Sequence, residues 1–144
     1  MGFELHQQLR ADCCQLGSFQ LCRVLLCQDV NYPWFILVPQ RQDITEIYQL
    51  DEKDQHQLWS ESAVFSEVVM ECFAGHKLNV AALGNMVPQL HLHHIVRYRD
   101  DPAWPGPIWG AVESKKYSQV QLAEVTNSLL PLLKNKGFIE KVAL

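Results

Sequence analysis

No stretch of the chain stays apolar for long enough to span a bilayer. Basic residues are few, with 12 Lys and Arg against 16 Asp and Glu and a formal net charge of −4. Proteins that grip nucleic acid without regard to sequence set many cations against phosphates, so this composition excludes that class. It leaves room for a small phosphate-bearing molecule met by a few local donors. There is no Cys-x-x-Cys. The five cysteines, Cys13, Cys14, Cys22, Cys27 and Cys72, are odd in number, and four lie in or beside apolar stretches. They read as buried free thiols of a reducing cytosol, and nothing supports a redox role for the adjacent Cys13-Cys14. Internal repeats, low-complexity tracts and linker-like breaks are also missing, so one domain is expected over residues 1–144. The opening residues Met1–His6 lack a basic start followed by an apolar core, and no secretory leader is expected. A cytoplasmic protein is the expectation.

What the sequence does contain is a series of short apolar elements. A short helix suits the first dozen residues. Leu16–Cys27 reads as one or two strands around Gly17-Ser18, with Cys22, Val24 and Leu26 alternating. Asn31-Tyr32-Pro33 is a turn, followed by the apolar strand Trp34–Val38, ended by Pro39. A long helix is expected from about Asp51 to Phe73, capped by Asp51, with Leu58, Phe65, Val69 and Cys72 on its inner stripe and Gly75 as its stop. Two strands, Lys77–Leu83 and Gln89–Tyr98, flank a turn at Gly84-Asn85. Asp100–Gly110, rich in Pro, Gly and Trp, is a loop. A last helix opens on Ser118-x-x-Gln121, which has capping-box form, and carries Leu122, Val125, Leu129 and Leu132, with Pro131 kinking or shortening it. Strands in a run with helices outside them point to an α+β fold with an antiparallel sheet.

The segment that carries chemistry is Pro88-Gln89-Leu90-His91-Leu92-His93-His94-Ile95-Val96. Side chains alternate along a strand, so Gln89, His91 and His93 share one face. Leu90, Leu92 and Val96 share the other, with His94 among them. Imidazoles change charge near neutral pH. One can attack phosphorus as a neutral nucleophile, while its neighbour, if protonated, stabilises oxyanion charge or protonates a leaving group. Spacing alone leaves other readings open. Two histidines at i and i+2 also suit zinc, with His76, Asp29 or a cysteine as third ligand. They also suit satisfied polar groups on a half-exposed sheet, or a module that holds nucleotides without chemistry.

Gln89-Leu90-His91-Leu92-His93-His94-Ile95 resembles the histidine-triad (HIT) motif, His-φ-His-φ-His-φ-φ with φ apolar. Leu78–Pro88 resembles the strand and Gly-containing turn that lead into that motif. Gln28–Trp34 and the strand after it resemble the family's nucleoside-side loop and strand. The resemblance, to small bacterial-type HIT hydrolases, spans roughly Leu21–Tyr98, with the long helix in the family's order. It implies a sheet of about five strands with a long helix and a C-terminal helix. It also implies a nucleotide substrate cleaved at its α-phosphorus through a nucleotidyl-histidine intermediate, of the dinucleoside polyphosphate or nucleoside phosphoramidate type. His91 takes the nucleophile's place, and His93 contacts the phosphate. Asp29 meets the ribose hydroxyls, with a turn-forming Asp as the plainer reading. Asn79 and Asn85 meet the phosphate side, and Trp34 is core. No metal or other cofactor is implied, magnesium at most travelling with a polyphosphate, and a homodimer is expected.

Three departures from the pattern stand out. Gln89 replaces the first histidine, where an amide can still hydrogen-bond. Met86 stands where many members carry a Ser or Thr that assists the leaving group. His94 occupies an apolar position and should point into the core. Met86 and Gln89 favour the alternative of a non-catalytic nucleotide-binding or interaction protein. The retained His91 and His93 favour an enzyme.

Overall fold

A computed structural model describes residues 2–141. Its centre is a six-stranded sheet, antiparallel throughout, in the order β4-β5-β3-β2-β1-β6. The strands are β1 (Cys13–Ser18), β2 (Cys22–Cys27), β3 (Trp34–Pro39), β4 (Lys77–Ala81), β5 (Leu92–Arg97) and β6 (Ile139–Glu140). Three α-helices accompany them: α1 (Gln7–Asp12), α2 (Glu52–Cys72) and α3 (Gln119–Leu133). The α+β class and the antiparallel sheet are as expected. The sixth strand, β6, is too short to carry an alternating pattern and went unread. It lies so close to β1 that a Cβ at Gly17 would collide with the Ile139 carbonyl oxygen.

The alternation of the strands divides the core in two. Val24, Leu26, Phe35, Leu37, Leu92 and Val96 face α2 and α3 and pack with Leu58, Phe65, Val69 and Leu129. Leu25, Cys27, Ile36 and Val38 face the opposite way, under Leu5 and Leu9 of the N-terminal segment. The helix ends match the sequence signals. The Asp51 carboxylate accepts from the Asp54 N–H, and the Ser118–Gln121 capping box closes in both directions. On α3 the buried residue of the last turn is Leu133, while Leu132 is 45% exposed. The inner stripe steps four residues from Leu129 where three were expected, because the 3.6-residue turn carries 129 and 133 to the same side. Pro131 sits in that last turn without ending the helix before Leu133.

Both strands of the histidine hairpin are shorter than the apolar pattern implied. The Leu90 N–H donates to the Ile44 carbonyl oxygen, which draws Gln89–His91 away from β3 before the ladder resumes at Leu92. With β5 starting at Leu92, β4 has no partner beyond Ala81, which pairs with His93. The chain turns at Gly84, whose φ of 74° is a left-handed conformation that glycine adopts without steric cost. At the other end, the Tyr98 N–H turns out of the sheet to the Asp101 carboxylate.

Candidate active site

His91, just before β5, and His93 within it lie together on the side turned away from α2, with ring centroids 4.9 Å apart and planes at 71°. Both are 6% exposed. His91 Nδ1 lies 2.7 Å from the Gln89 carbonyl oxygen. A carbonyl only accepts, so Nδ1 holds the proton and Nε2 holds a lone pair. His93 has the opposite arrangement. The Trp34 indole N–H, which can only donate, points at His93 Nδ1 from 3.0 Å. The neutral ring therefore carries its proton on Nε2. One imidazole thus offers a lone pair and its neighbour an N–H, and neither Nε2 has a protein partner among the described residues.

Burial lowers the pKa of both groups. For His91 desolvation is the main cause, opposed by the bond to Gln89 and reinforced by His6. His93 is pushed down to about 3 by desolvation, then by His91 and His94. It is therefore a neutral N–H donor near pH 7, where sequence reasoning had considered a protonated one.

Gln89 serves this site by position. Its side-chain oxygen accepts from the His6 N–H at 2.8 Å, and its amide nitrogen donates to the Glu4 carbonyl at 3.0 Å. A side chain with a donor and an acceptor at one end can close this clasp on the N-terminal segment. Its backbone carbonyl is the part that touches His91. Met86 is 92% exposed on the preceding turn.

The remaining expected residues are spread around this pair. Asn79, on β4, accepts from Arg97 Nη1 at 2.7 Å. Asp29 is buried and accepts from the Asn31 backbone and side chain at 3.1 and 2.8 Å, and from the Lys115 N–H at 3.4 Å. Its turn-forming role is thus realised, and it ties the 113–115 segment to the sheet. Asn85 is exposed on its turn.

Three features were missed from sequence. The first is Trp34, read as core, which binds His93 directly. The second is Trp109, 37% exposed, whose ring stands 5.1 Å from His93 and 6.2 Å from Trp34. The third is the ion pair that holds the loop carrying Trp109. The side chains of Arg97 and Asp101, 1% and 2% exposed, meet through two hydrogen bonds of 2.8 and 3.1 Å. Arg97 also donates to the Gly106 carbonyl, and Asp101 accepts from the N–H groups of Tyr98, Ala103 and Trp104. Burial resists ionisation of Asp101, but the Arg97 bonds, the backbone donors and the Arg97 charge bring its pKa down to about 2. A buried charge pair this fully bonded fixes the loop. The i, i+4 spacing of Arg97 and Asp101 across a strand end was the available signal.

On the other face, His94 is fully buried. Its Nδ1–H donates to the Leu92 carbonyl at 3.0 Å, and its Nε2 accepts from the Ser62 hydroxyl of α2 at 2.7 Å. The Phe65 ring meets it edge-on at 5.7 Å. It points into the core, as the alternation required. Among the described residues, no three His, Cys, Asp or Glu side chains gather into a metal-binding group.

This fold and this paired-imidazole face are those of a histidine-triad domain. A family model of the HIT domain matches residues 8–100. Among solved structures, the chain is similar to a histidine triad protein from Marinobacter aquaeolei VT8, at 54% identity, covering 93% of this chain and 98% of that one, with a TM-score of 0.90. It is also similar to a histidine triad protein from Bradyrhizobium japonicum (40% identity, 91% and 98% covered, TM-score 0.89). A third is a HIT protein from Sinorhizobium meliloti 1021 (36% identity, 91% and 97% covered, TM-score 0.88). No curated protein matches the sequence. The chain belongs to the HIT domain family, whose members are generally nucleotide hydrolases or transferases.

Proposed function

We propose that this protein is a nucleotide hydrolase or nucleotidyl transferase acting at the α-phosphorus, with His91 as nucleophile. The observation that carries the reading is the opposite proton placement of the two neighbouring imidazoles. The His91 Nε2 lone pair forms a bond to phosphorus as the bond to the leaving group breaks, and that group takes the electron pair. Positive charge on the substituted ring is shared with its Nδ1–H, which already donates to the Gln89 carbonyl. The His93 Nε2–H is the donor for a phosphoryl oxygen as charge builds there. Water or another acceptor then attacks phosphorus and gives up its proton to solvent, while the nitrogen–phosphorus bond breaks and returns its electron pair to the His91 Nε2. No cofactor is invoked for the covalent step, and magnesium enters only with a polyphosphate substrate.

Asp29 is assigned to the ribose hydroxyls, and Asn79 and Asn85 to the phosphate side. The Asn79 oxygen is taken by Arg97, which leaves its amide hydrogens to donate. Asp29→Asn and Asn79→Ala should raise KM for a nucleotide more than they lower kcat, and an unchanged KM would remove them from the site. A homodimer is part of the reading. β4 is an outer strand of the sheet, and Val80 on it and Leu83 just beyond it are 42% and 49% exposed. Sedimentation at micromolar concentration should give twice the chain mass, and a monomer would refute this part. The cytoplasm is the proposed compartment, suggested by five cysteines that are all free. Recovery in the periplasmic fraction of a bacterial host would contradict it.

The non-catalytic alternative is not favoured. It leaned on Met86 and Gln89; Gln89 is accounted for by its clasp on Glu4 and His6, and Met86 is 92% exposed on the preceding turn, outside the His91–His93 pair that carries the reading. The test is a turnover panel of dinucleoside polyphosphates, nucleoside phosphoramidates and nucleotidyl sulfates, run on the native protein and on His91→Ala. The reading requires native turnover of at least one substrate, and a variant that binds the product nucleotide with little change while turning nothing over. Tight nucleotide binding by the native protein with no turnover of any of them would establish the alternative.

A further inference from the structure

We infer that Trp34 is a positioning residue that keeps His93 a hydrogen-bond donor and prevents it from acting as an acid, so that the site selects leaving groups able to depart without a proton from the protein. This rests on the function proposed above. An indole N–H can donate and cannot accept. Sitting 3.0 Å from His93 Nδ1, it occupies the lone pair that a second proton would need. Protonating that nitrogen would set two N–H groups against each other in a buried place. Trp34 is itself held edge-on by Trp109 at 6.2 Å, and Trp109 by the loop that Arg97 and Asp101 fix. The titratable groups bearing on His93 are His91 and His94, and both act against its protonation.

Met86 and His91 do not supply the proton in its place. The His6 Nδ1 lone pair is taken up by the Gln8 N–H at 3.0 Å. Met86 has no proton to give. His91 must keep Nε2 bare to attack. In the covalent step the His91 lone pair therefore forms the bond to phosphorus, the leaving atom takes the bonding pair, and no proton moves. Oxygen leaving groups that are stable as anions, such as phosphate, sulfate or a nitrophenolate, satisfy this. An aliphatic amine does not.

The test combines spectra with a pair of substrates. Long-range proton–nitrogen spectra of histidine-labelled protein report where the His93 proton sits and when it titrates. The native protein should show His93 as the Nε2–H form, uncharged to below about pH 5. Trp34→Phe should admit the second tautomer and move titration of His93 up by about one pH unit or more. So should β-(3-benzothienyl)alanine at position 34, which keeps the bicyclic shape and replaces N–H with sulfur. The substrates are the 4-nitrophenyl ester and an aliphatic phosphoramidate of the same nucleoside monophosphate. The native enzyme should favour the ester strongly, and the ratio of kcat/KM values should fall about tenfold or more in either variant. Unchanged His93 spectra in both variants would show that Trp34 only packs, and would overturn the inference. A moved tautomer with an unchanged ratio would overturn its leaving-group part. If the native protein turns over neither of these two nor any member of the panel above, the proposed function fails while the spectra still decide the role of Trp34.

Discussion

His93 and His94 are neighbours in sequence, both buried and both with pKa values pushed far down, yet they belong to different parts of the molecule. His94 spends both nitrogens inside the fold, one on the Leu92 carbonyl and one on Ser62. His93 spends one, on Trp34, and His91 likewise spends one, on Gln89. The difference is a matter of which face of β5 each side chain takes. The face toward α2 is closed by Phe65 and its neighbours, and every polar atom there must find a protein partner. The other face keeps two Nε2 atoms uncommitted, and uncommitted atoms are what chemistry requires. A buried histidine becomes a candidate for catalysis through the bond it does not make.

Substitutions on the two faces should therefore fail in different currencies. On the open face, His91→Ala should lower kcat/KM by about four orders of magnitude or more, since the nucleophile is lost, with the melting temperature within a few degrees of native. His93→Ala should lower it by about two to three orders, the size of one lost donor to a developing oxyanion. Steady-state kinetics with thermal melts on the same preparations would check both. A large loss of stability with intact turnover in either variant would reverse the assignment of the two faces.

The pH dependence of stability is next in size. Desolvation holds the folded His94 pKa at about 4 against an ordinary 6.5, and only its bond to Leu92 opposes this. Below pH 6.5 the unfolded chain takes up a proton that the folded chain refuses. The stability tied to His94 is thus fully present above about pH 6.5 and declines as pH falls toward 4, by ~3 kcal/mol in all. His93 adds a somewhat larger decline that runs on to about pH 3. Urea midpoints at pH 7 and pH 5 should differ accordingly, and a flat profile would show that these imidazoles are not buried neutral.

On the closed face the effects are smaller and concern folding. Ser62→Ala should cost about 1–3 kcal/mol, because it leaves the His94 Nε2 unsatisfied in the core. The double variant His94→Val with Ser62→Ala should recover most of that loss, since removing both partners leaves no orphan. It should also flatten part of the pH profile while kcat/KM stays within about threefold. Non-recovery in a double-mutant cycle would mean that the pair does more than satisfy itself. Smallest, and back on the open face, Gln89→Ala should cost about 1 kcal/mol by opening the clasp on Glu4 and His6, seen as faster amide exchange in residues 5–12.

The two faces also differ in how far the sequence exposed them. The closed face was legible. Helical spacing put Leu58, Phe65 and Val69 inward, and strand alternation put His94 among Leu92 and Val96. The open face was legible only along the segment that enters β5, where His91 and His93 stand two apart. What completes it comes from far away in the chain: Trp34 from β3, Glu4 and His6 from the N-terminal segment, Trp109 from a loop. None of these has a local period or spacing that aims it at His93. Register decides their meeting, because Trp34 pairs with Ile95 and so shares the face of His93. The bend at Leu90 was hidden for the same reason, since its cause is the distant Ile44 carbonyl.

The central claim is that the His91 Nε2 carries a nucleotide for part of each turnover. Intact-protein mass spectrometry after brief mixing with the substrate panel and a rapid quench tests it most directly. The account predicts one adduct of nucleoside monophosphate mass per chain, located at His91, absent in His91→Ala and formed more slowly in His93→Ala. Turnover with no adduct at any quench time, or an adduct that persists in His91→Ala, would contradict it.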